Sequence, residues 1–310
     1  MGGTFERHPD NSIYAARRST EGGWEEVEKV VDEPYTCKNP VLYVARTGIL
    51  FLFYRIGPTA YSWGSAYRTS TDDGRTWNQP VVLPAGVYGP IKNKPIGLED
   101  GRLLCPSSVE NYAAKTSWME IFDPLENTWS RHGPIQPVDA HFRSVSPADS
   151  EFTVGNKTYR LPHSRTEKGV IQPTVWRVAG NHYRALMRAG SDIGKICVTD
   201  SRDGGHTWSP ARPTNLPNPN SGIDALNLTD GRLVLIYNHT AKGRNPLHLA
   251  VSRDDGETWS QPALIDTTEG QLSYPAVIQA RDGTIHITYT WKRTSIAHLA
   301  MQPSELPPVD

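Results

Sequence analysis

The chain has 310 residues, 32 Lys plus Arg against 33 Asp plus Glu, a formal net charge of -1 and three cysteines. That length holds one or two domains with a sizeable core, and the balanced charge excludes the basic footprint of a nucleic-acid or membrane-surface binder, so an anionic ligand would need a local cluster of cations. Cys37, Cys105 and Cys197 stand far apart in no paired motif, which argues against a disulfide framework or a zinc site and predicts buried free thiols. No apolar run reaches the roughly 18 residues of a membrane span, and no leader pattern follows Met1.

Residues 5–24 read as the second half of a repeat unit. Residues 12–16 are strand-like and Gly22-Gly23-Trp24 is a turn into an outer strand, with no inner strand ahead of them. One octet, Ser-x-Asp-x-Gly-x-Thr-Trp, then recurs at residues 70–77, 201–208 and 252–259. It has the chemistry of a tight hairpin: Asp bonds the backbone ahead of it, Gly supplies a positive φ, and Thr-Trp opens a strand whose indole packs under the turn. Such octets are staples of a fold rather than catalysts. Residues 122–129 are a degenerate fourth copy and residues 19–24 the tail of a fifth. Trp24, Trp77, Trp129, Trp208 and Trp259 therefore form a ladder with spacings of 53, 52, 79 and 51 residues. The long step holds an insertion of about 27 residues, at about 139–169, polar and without clean strand alternation over most of its length. A turn followed by a β-rich run recurs at fixed phase, as in Gly48-Ile49-Leu50-Phe51, Asp100-Gly101-Arg102-Leu103, Asp230-Gly231-Arg232-Leu233 and Asp282-Gly283-Thr284-Ile285. Several short strands per unit of about 50 residues predict an all-β chain, a six-bladed β-propeller whose first blade lacks its inner strand and whose last blade lacks its outer strand. Read as one domain over 1–310, its blades fall at about 1–30, 38–83, 92–137, 170–215, 221–266 and 273–301. A repeat interrupted at both ends is the pattern expected of a truncated form of a longer protein.

Each unit also opens alike. Lys38-Asn39-Pro40, Lys92-Asn93-Lys94-Pro95, Ile171-Gln172-Pro173, Ser221-Gly222-Ile223-Asp224 and Ser273-Tyr274-Pro275 all place polar or aromatic residues ahead of an apolar strand. Proline suits the first residue of a strand, where its missing N–H does no harm. Inner strands of a propeller start around the central channel, so these segments are predicted to converge on one ligand-binding funnel. On that ground Asn39, Lys92, Asn93 and Lys94 are candidate ligand contacts, and Asn220 and Asp224 candidate partners for sugar hydroxyls. Glu120, on a strand whose neighbour starts at Lys92, is either a held base or one side of a salt bridge. His239 ends the strand at Tyr237 and is placed at the funnel, whereas His286 and His298 read as strand packing. Trp63 and Trp291 either stack on a sugar face or fill the core.

The octet ladder with a strand-initial Tyr274 resembles the sialidase superfamily of BNR-repeat propellers, over nearly the whole chain. It is most similar to the branch often labelled predicted neuraminidase, through Gly89-Pro90-Ile91-Lys92-Asn93-Lys94-Pro95, Asn218-Pro219-Asn220-Ser221-Gly222-Ile223-Asp224 and Ser273-Tyr274-Pro275 followed by Tyr289-Thr290-Trp291. The resemblance implies a Tyr nucleophile at Tyr274, an Asp acid/base at Asp10, and carboxylate-binding arginines at Arg188 and Arg244, whose forked guanidiniums suit that bidentate task. A neutral phenol avoids the repulsion that a carboxylate nucleophile would meet at an anomeric carbon flanked by a carboxylate. The sequence departs from the family pattern twice. Gln172 stands where the activating Glu belongs, and an amide cannot take the phenol proton. The first of the family's three arginines falls on the inner strand that this chain lacks.

Three functions follow as expectations: an exo-acting glycosidase for an acidic sugar, a lyase that removes the proton α to a uronate carboxylate, and a glycan-binding propeller without catalysis. In each the partner is an acidic carbohydrate and no cofactor or metal is called for. Compartment and oligomeric state stay open.

Overall fold

The computed structural model describes residues 2–4, 8–19, 22–58, 62–110, 114–138, 149–154, 156–162 and 169–309. Their regular secondary structure is almost entirely strand, in antiparallel sheets built from neighbours in sequence. β1 (Ile13–Ala15) pairs with β2 (Glu28–Val31) in a two-stranded sheet. β3 (Cys37–Val44), β4 (Leu50–Ile56), β5 (Gly64–Ser70) and β6 (Val81–Val82) form a four-stranded one. A third sheet joins β7 (Ile96–Gly97), β8 (Leu103–Glu110), β9 (Lys115–Asp123) and β10 (Thr128–Ile135). β11 (Asp149–Val154) and β12 (Lys157–Pro162) make a separate hairpin. β13 (Val170–Ala179), β14 (His182–Ala189), β15 (Lys195–Ser201) and β16 (Arg212–Pro217) form the next sheet, followed by β17 (Asp224–Asn227), β18 (Leu233–Tyr237), β19 (Leu247–Ser252) and β20 (Ala263–Asp266). β21 (Leu272–Gln279), β22 (Ile285–Trp291) and β23 (Ser295–Met301) close the series with three strands. Five sheets of three or four consecutive strands, each an up-and-down blade, are thus present among the described residues. The β11–β12 hairpin lies in the insertion, which reads as without clean strand alternation over most of its length; residues 139–148, 155 and 163–168 of that insertion lie outside the described residues.

Strands covered on both faces read as unbroken apolar runs. β18 is one, with all five of Leu233, Val234, Leu235, Ile236 and Tyr237 buried. The cores lie between successive sheets. Phe51, Phe53, Tyr67, Leu103 and Phe122 pack between the second and third, where Phe122 stacks on Trp129 at 4.2 Å between ring centroids. Val234, Ile236, Leu249, Val277 and Ile287 do the same between the last two. Cys37, Cys105 and Cys197 are buried free thiols, and burial pushes the pKa of Cys37 up to about 11.

The three octets fold identically. In the last, Ser252 Oγ donates to Asp254 Oδ1 at 2.7 Å and accepts from the Gly256 N–H at 2.9 Å. Asp254 then accepts from the Thr258 N–H at 2.9 Å and its hydroxyl at 2.5 Å. Asp255 and Gly256 turn the chain with φ of 57° and 86°, and a Cβ on Gly256 would lie 3.2 Å from the indole of Trp259, so the ring does pack beneath the turn. The expectation that Thr-Trp opens a strand is corrected. Trp259 and Trp208 precede β20 and β16 by four residues, because the side-chain bonds of the octet hold an irregular turn there and pairing resumes only beyond it.

By compactness the chain comprises two units, Met1–Ser107 with Met119–Arg131, and Ser108–Trp118 with His132–Asp310. Since one carboxylate holds three donors in each octet, Asp254→Ala is expected to lower the unfolding free energy by about 2 kcal/mol. Urea unfolding measures this. An unchanged midpoint would mean that the hydrogen bonds of the octet do not hold the turn.

Candidate active site

Three inner strands share one irregularity. Asn39, Gln172 and Tyr274 have φ of 50°, 54° and 53°, each precedes a proline, and the strand register slips there, between Lys38 and Val41, Ile171 and Thr174, and Ser273 and Ala276. A bulge of this kind turns a side chain off the pleat. A left-handed backbone at a bulky non-glycine residue costs about 1–3 kcal/mol, and a following proline disfavours helical backbone further. Strain of this type clusters where a side chain must be aimed.

In the second unit two of these bulges meet two arginines. Arg188, at the end of β14 opposite Ile171, is 7% exposed. Its Nε donates to Asn220 Oδ1 at 2.7 Å and its Nη1 to Gln172 Oε1 at 3.1 Å. Arg244 donates from Nη2 to the Asn220 carbonyl at 3.1 Å and lies 5.3 Å from the ring centroid of Tyr274. Both guanidinium charges act on the Tyr274 phenol. Burial alone would raise the pKa of that phenol, yet the charges of Arg188 and Arg244 and their hydrogen bonds outweigh it, and the pKa falls below the ordinary 10.0. Burial lowers the pKa of Arg188 itself, opposed by Tyr274 and, more weakly, by Glu110 at the end of β8. The result is a phenol whose ionised form two cations favour, an arrangement chemically suited to a nucleophile or a base.

The predicted residues thus fall into several groups. Tyr274, Arg188, Arg244, Asn220 and Gln172 are brought together, with Asn220 (φ 58°) bridging both arginines. Asp224 is 2% exposed; its carboxylate accepts from the Thr174 hydroxyl at 3.0 Å and the Val277 N–H at 2.9 Å, which ties β13, β17 and β21 together. His239 is half-buried with its Nδ1 2.6 Å from the Tyr237 hydroxyl, and burial lowers its pKa. In the first unit Lys92 (φ 71°) donates from Nζ to Asn93 Oδ1 at 2.8 Å, while Lys94 is half-buried and Asn39 sits at its bulge. Asp10 is exposed. Its carboxylate accepts from the Thr4 hydroxyl at 2.6 Å and contacts His8, and Thr4 above all holds its pKa below the usual carboxyl range. Residues 5–7, the rest of that segment, lie outside the described residues.

Glu120 is fully buried. It accepts from the N–H groups of Tyr88 at 3.0 Å and Gly89 at 2.6 Å and from the Ser107 hydroxyl at 3.1 Å, with Arg131 3.6 Å away. Burial drives its pKa up to about 7 against those donors. It holds the loop that leads to Lys92.

Sequence reasoning missed Arg55. It stands opposite Lys38 as Arg188 stands opposite Ile171, and both arginines lie five residues after the strand residue that pairs with an octet serine, Leu50 with Ser70 and Tyr183 with Ser201. Aligning the repeats on their octets would have found it. Among the described residues there is no group of three or more His, Cys, Asp or Glu placed to hold a metal ion.

Residues 1–287 match the family model of the BNR repeat-like domain. The chain belongs to this family. This BNR repeat-like chain is 22% identical over 255 residues to a sialidase of Bacteroides fragilis (strain YCH46), covering 76% of its own length and 40% of that protein's. Among solved structures it is similar to a protein of unknown function from Dyadobacter fermentans DSM 18053, with a TM-score of 0.71, 17% identity and coverage of 93% and 82% of the two chains. The Hadza microbial sialidase Hz136 gives a TM-score of 0.72 at 19% identity, over 96% of this chain and 60% of that one. The NanB sialidase from Streptococcus pneumoniae gives 0.58 at 16%, over 96% and 42%. These likenesses show the fold, an all-β propeller.

The phenol makes a direct measurement available. In a spectrophotometric titration one tyrosine is expected to form phenolate at lower pH than the others, among which burial raises Tyr289 to about 12. Tyr274→Phe should remove that early phase, and Arg244→Met should move it to higher pH. If no phase is lost in Tyr274→Phe, the two arginines do not lower its pKa.

Proposed function

We propose that this BNR repeat-like chain is a sialidase-like exo-glycosidase for a terminal sugar that carries a carboxylate, with Tyr274 as nucleophile and Asp10 as acid/base. The observation that carries the reading is the phenol of Tyr274 held between Arg188 and Arg244 with its pKa lowered. The sialidases among the similar proteins support it.

In this reading the arginines bind the sugar carboxylate and the Tyr274 oxygen attacks the anomeric carbon. The bond to the leaving oxygen breaks as Asp10 gives that oxygen a proton, and Asp10 then takes a proton from the water that releases the sugar. Gln172 cannot act as base. It orients Arg188 through its Oε1, and the two guanidinium charges do the activating that a carboxylate does elsewhere in the superfamily. The Tyr274 proton passes to solvent before the attack, and Asp10, ionised while Thr4 holds it, takes up a proton from solvent once substrate displaces that hydroxyl and then serves as acid. The same reading takes the chain as one six-bladed domain, with β1 and β2 as part of the first blade and Lys92, Asn93, Lys94, Asn39 and His239 as further contacts for an acidic glycan.

Gln172 favours a second reading. A phenolate beside two cations, with no carboxylate at that bulge, equally suits a lyase in which Tyr274 removes the proton α to a uronate carboxylate and the arginines stabilise the enolate-like charge.

The test is product mass after incubation with sialylated and uronate-ended oligosaccharides. An intact released sugar supports the hydrolase, an unsaturated product the lyase. Tyr274→Phe is expected to lower kcat/KM on the order of a thousandfold or more in either case. Arg188→Met should weaken acidic ligands by roughly 10- to 100-fold and leave neutral ones alone. Undiminished turnover in Tyr274→Phe removes that residue from the chemistry, and glycan binding without any product leaves a binding propeller.

A further inference from the structure

The two cations at Tyr274 are carried differently. Arg188 closes β14, where its backbone is paired with Ile171, whereas Arg244 lies in the irregular segment 238–246 between β18 and β19. A guanidinium on a paired strand inherits its place from the sheet. One on a loop keeps its place only if the backbone beneath it is fastened, and a shift of about an ångström changes what the charge does.

The fastening converges on Asn238. This residue follows β18 and is fully buried, and its one amide nitrogen donates to two carbonyls, those of Pro246 and Leu272, each at 2.9 Å. Pro246 stands two residues beyond Arg244, and Leu272 two residues ahead of Tyr274. The circuit closes from the other side, because the Leu272 N–H donates to the carbonyl of Arg244 itself at 2.8 Å. Three hydrogen bonds thus link Asn238, the Arg244 segment and β21 in one closed ring, and two of the three come from the Asn238 amide. At the far end of the side chain, the Arg244 guanidinium reaches the Asn220 carbonyl at 3.1 Å and stands 5.3 Å from the Tyr274 ring centroid.

The residue type points to the donors. A carboxamide supplies two N–H groups from one small, uncharged side chain, where a hydroxyl supplies one and a carboxylate none. Asn238 Oδ1 is buried and has no hydrogen-bond partner among the described residues. An unpaired buried carbonyl costs stability, and the last sheet fills the same position with Thr290, which has no amide. Asn238 therefore serves through its two donors, despite its unpaired oxygen.

We infer that Asn238 is a positioning residue of the candidate site: it fastens the segment that carries Arg244 to the strand that carries Tyr274, and so sets where the Arg244 guanidinium meets the phenol and the carboxylate of a substrate. The part that concerns substrate rests on the function proposed above; the part that concerns Arg244 and Tyr274 does not.

The test is a double-mutant cycle read by spectrophotometric titration of the phenols, which needs no substrate. Asn238→Leu removes both donors. In that variant the early phenolate phase, the one lost in Tyr274→Phe, is expected to move up by about one pH unit, because the Arg244 charge is no longer held in place. Made in an Arg244→Met background, the same substitution should move that phase no further. Asn238→Thr keeps one donor and should fall between, and it carries the comparison if Asn238→Leu does not fold. A phase that stays put in Asn238→Leu would overturn the proposal, and so would an equal shift in both backgrounds, the mark of a general loosening of the sheet. With an acidic glycan as substrate, Asn238→Leu should lower kcat/KM about tenfold in the parent protein and leave that of Arg244→Met unchanged. The titration shift without any turnover would sink the glycosidase reading and support Asn238 in its positioning role.

Discussion

At Gln172 and Tyr274 the inner strands take in an extra residue whose left-handed backbone runs straight into a proline. Neither side chain would lie beside Arg188 if its strand kept regular pleating, since a residue in register points to one face of the sheet or the other. The bulge costs local strain, and the cost is met by long, well-paired strands on either side, such as the ladder from Thr174 to Ala179. The candidate site is therefore held by regular structure that surrounds two irregular residues, the arrangement in which a rigid scaffold fixes a strained side chain.

The amide at Gln172 changes the electrostatics of what the bulges bring together. A carboxylate at that position would pair with Arg188 and absorb much of its charge. The amide accepts one hydrogen bond and absorbs none, so the Arg188 charge acts on the Tyr274 phenol together with that of Arg244. A unit charge about 4 Å away is worth on the order of 4 kcal/mol at an effective dielectric near 20. Two such charges together outweigh the desolvation that disfavours the phenolate, which is why the pKa of Tyr274, a residue 37% exposed, falls. Asn220 maintains the balance. Its side-chain oxygen fixes one guanidinium and its carbonyl the other, so both cations stay close despite their mutual repulsion.

Much of this was legible in the sequence, for identifiable reasons. The octets announce themselves because their bonds are local: Ser252, Asp254, Gly256 and Thr258 lie within seven residues and serve one another. The same period marked Gln172 and Tyr274 as strand-initial, whereas Arg188 and Arg244 came from the resemblance to a known family alone. What could not be read was long-range satisfaction. Asp224 looked like a sugar ligand because it is polar and strand-initial; its carboxylate is committed to Thr174 and Val277, each about fifty residues away. Glu120 reads as either a held base or one side of a salt bridge, and its oxygens are taken by the backbone of Tyr88 and Gly89, with Arg131 3.6 Å away. Pairing across such distances leaves no local pattern. The β11–β12 hairpin went unread because its alternation, Phe152 with Val154 and Tyr159 with Leu161, is short and set in a polar stretch.

The position filled by Arg55 and Arg188 recurs in the other sheets, and its occupants there show what the fold itself requires of it. In the β17–β20 sheet the equivalent residue, counted from Leu233 opposite Ser252, is Asn238. It is fully buried and donates from its amide to the carbonyls of Pro246 and Leu272, each at 2.9 Å, which joins the end of one sheet to the start of the next. In the last sheet the position opposite Ser273 is Thr290. An uncharged side chain of modest size therefore meets the structural need, by hydrogen bonds to backbone where bonds are needed. A guanidinium there brings a buried charge that the sheet does not require, and a buried charge is costly until something of opposite sign pairs with it. At Arg188 that partner is the oxygen of Tyr274, with Gln172 and Asn220 aligning the fork. Arg55 occupies the same slot with its Cζ 5.3 Å from the ring centroid of Trp63 and 4.9 Å from that of Tyr88, so aromatic faces orient the guanidinium there.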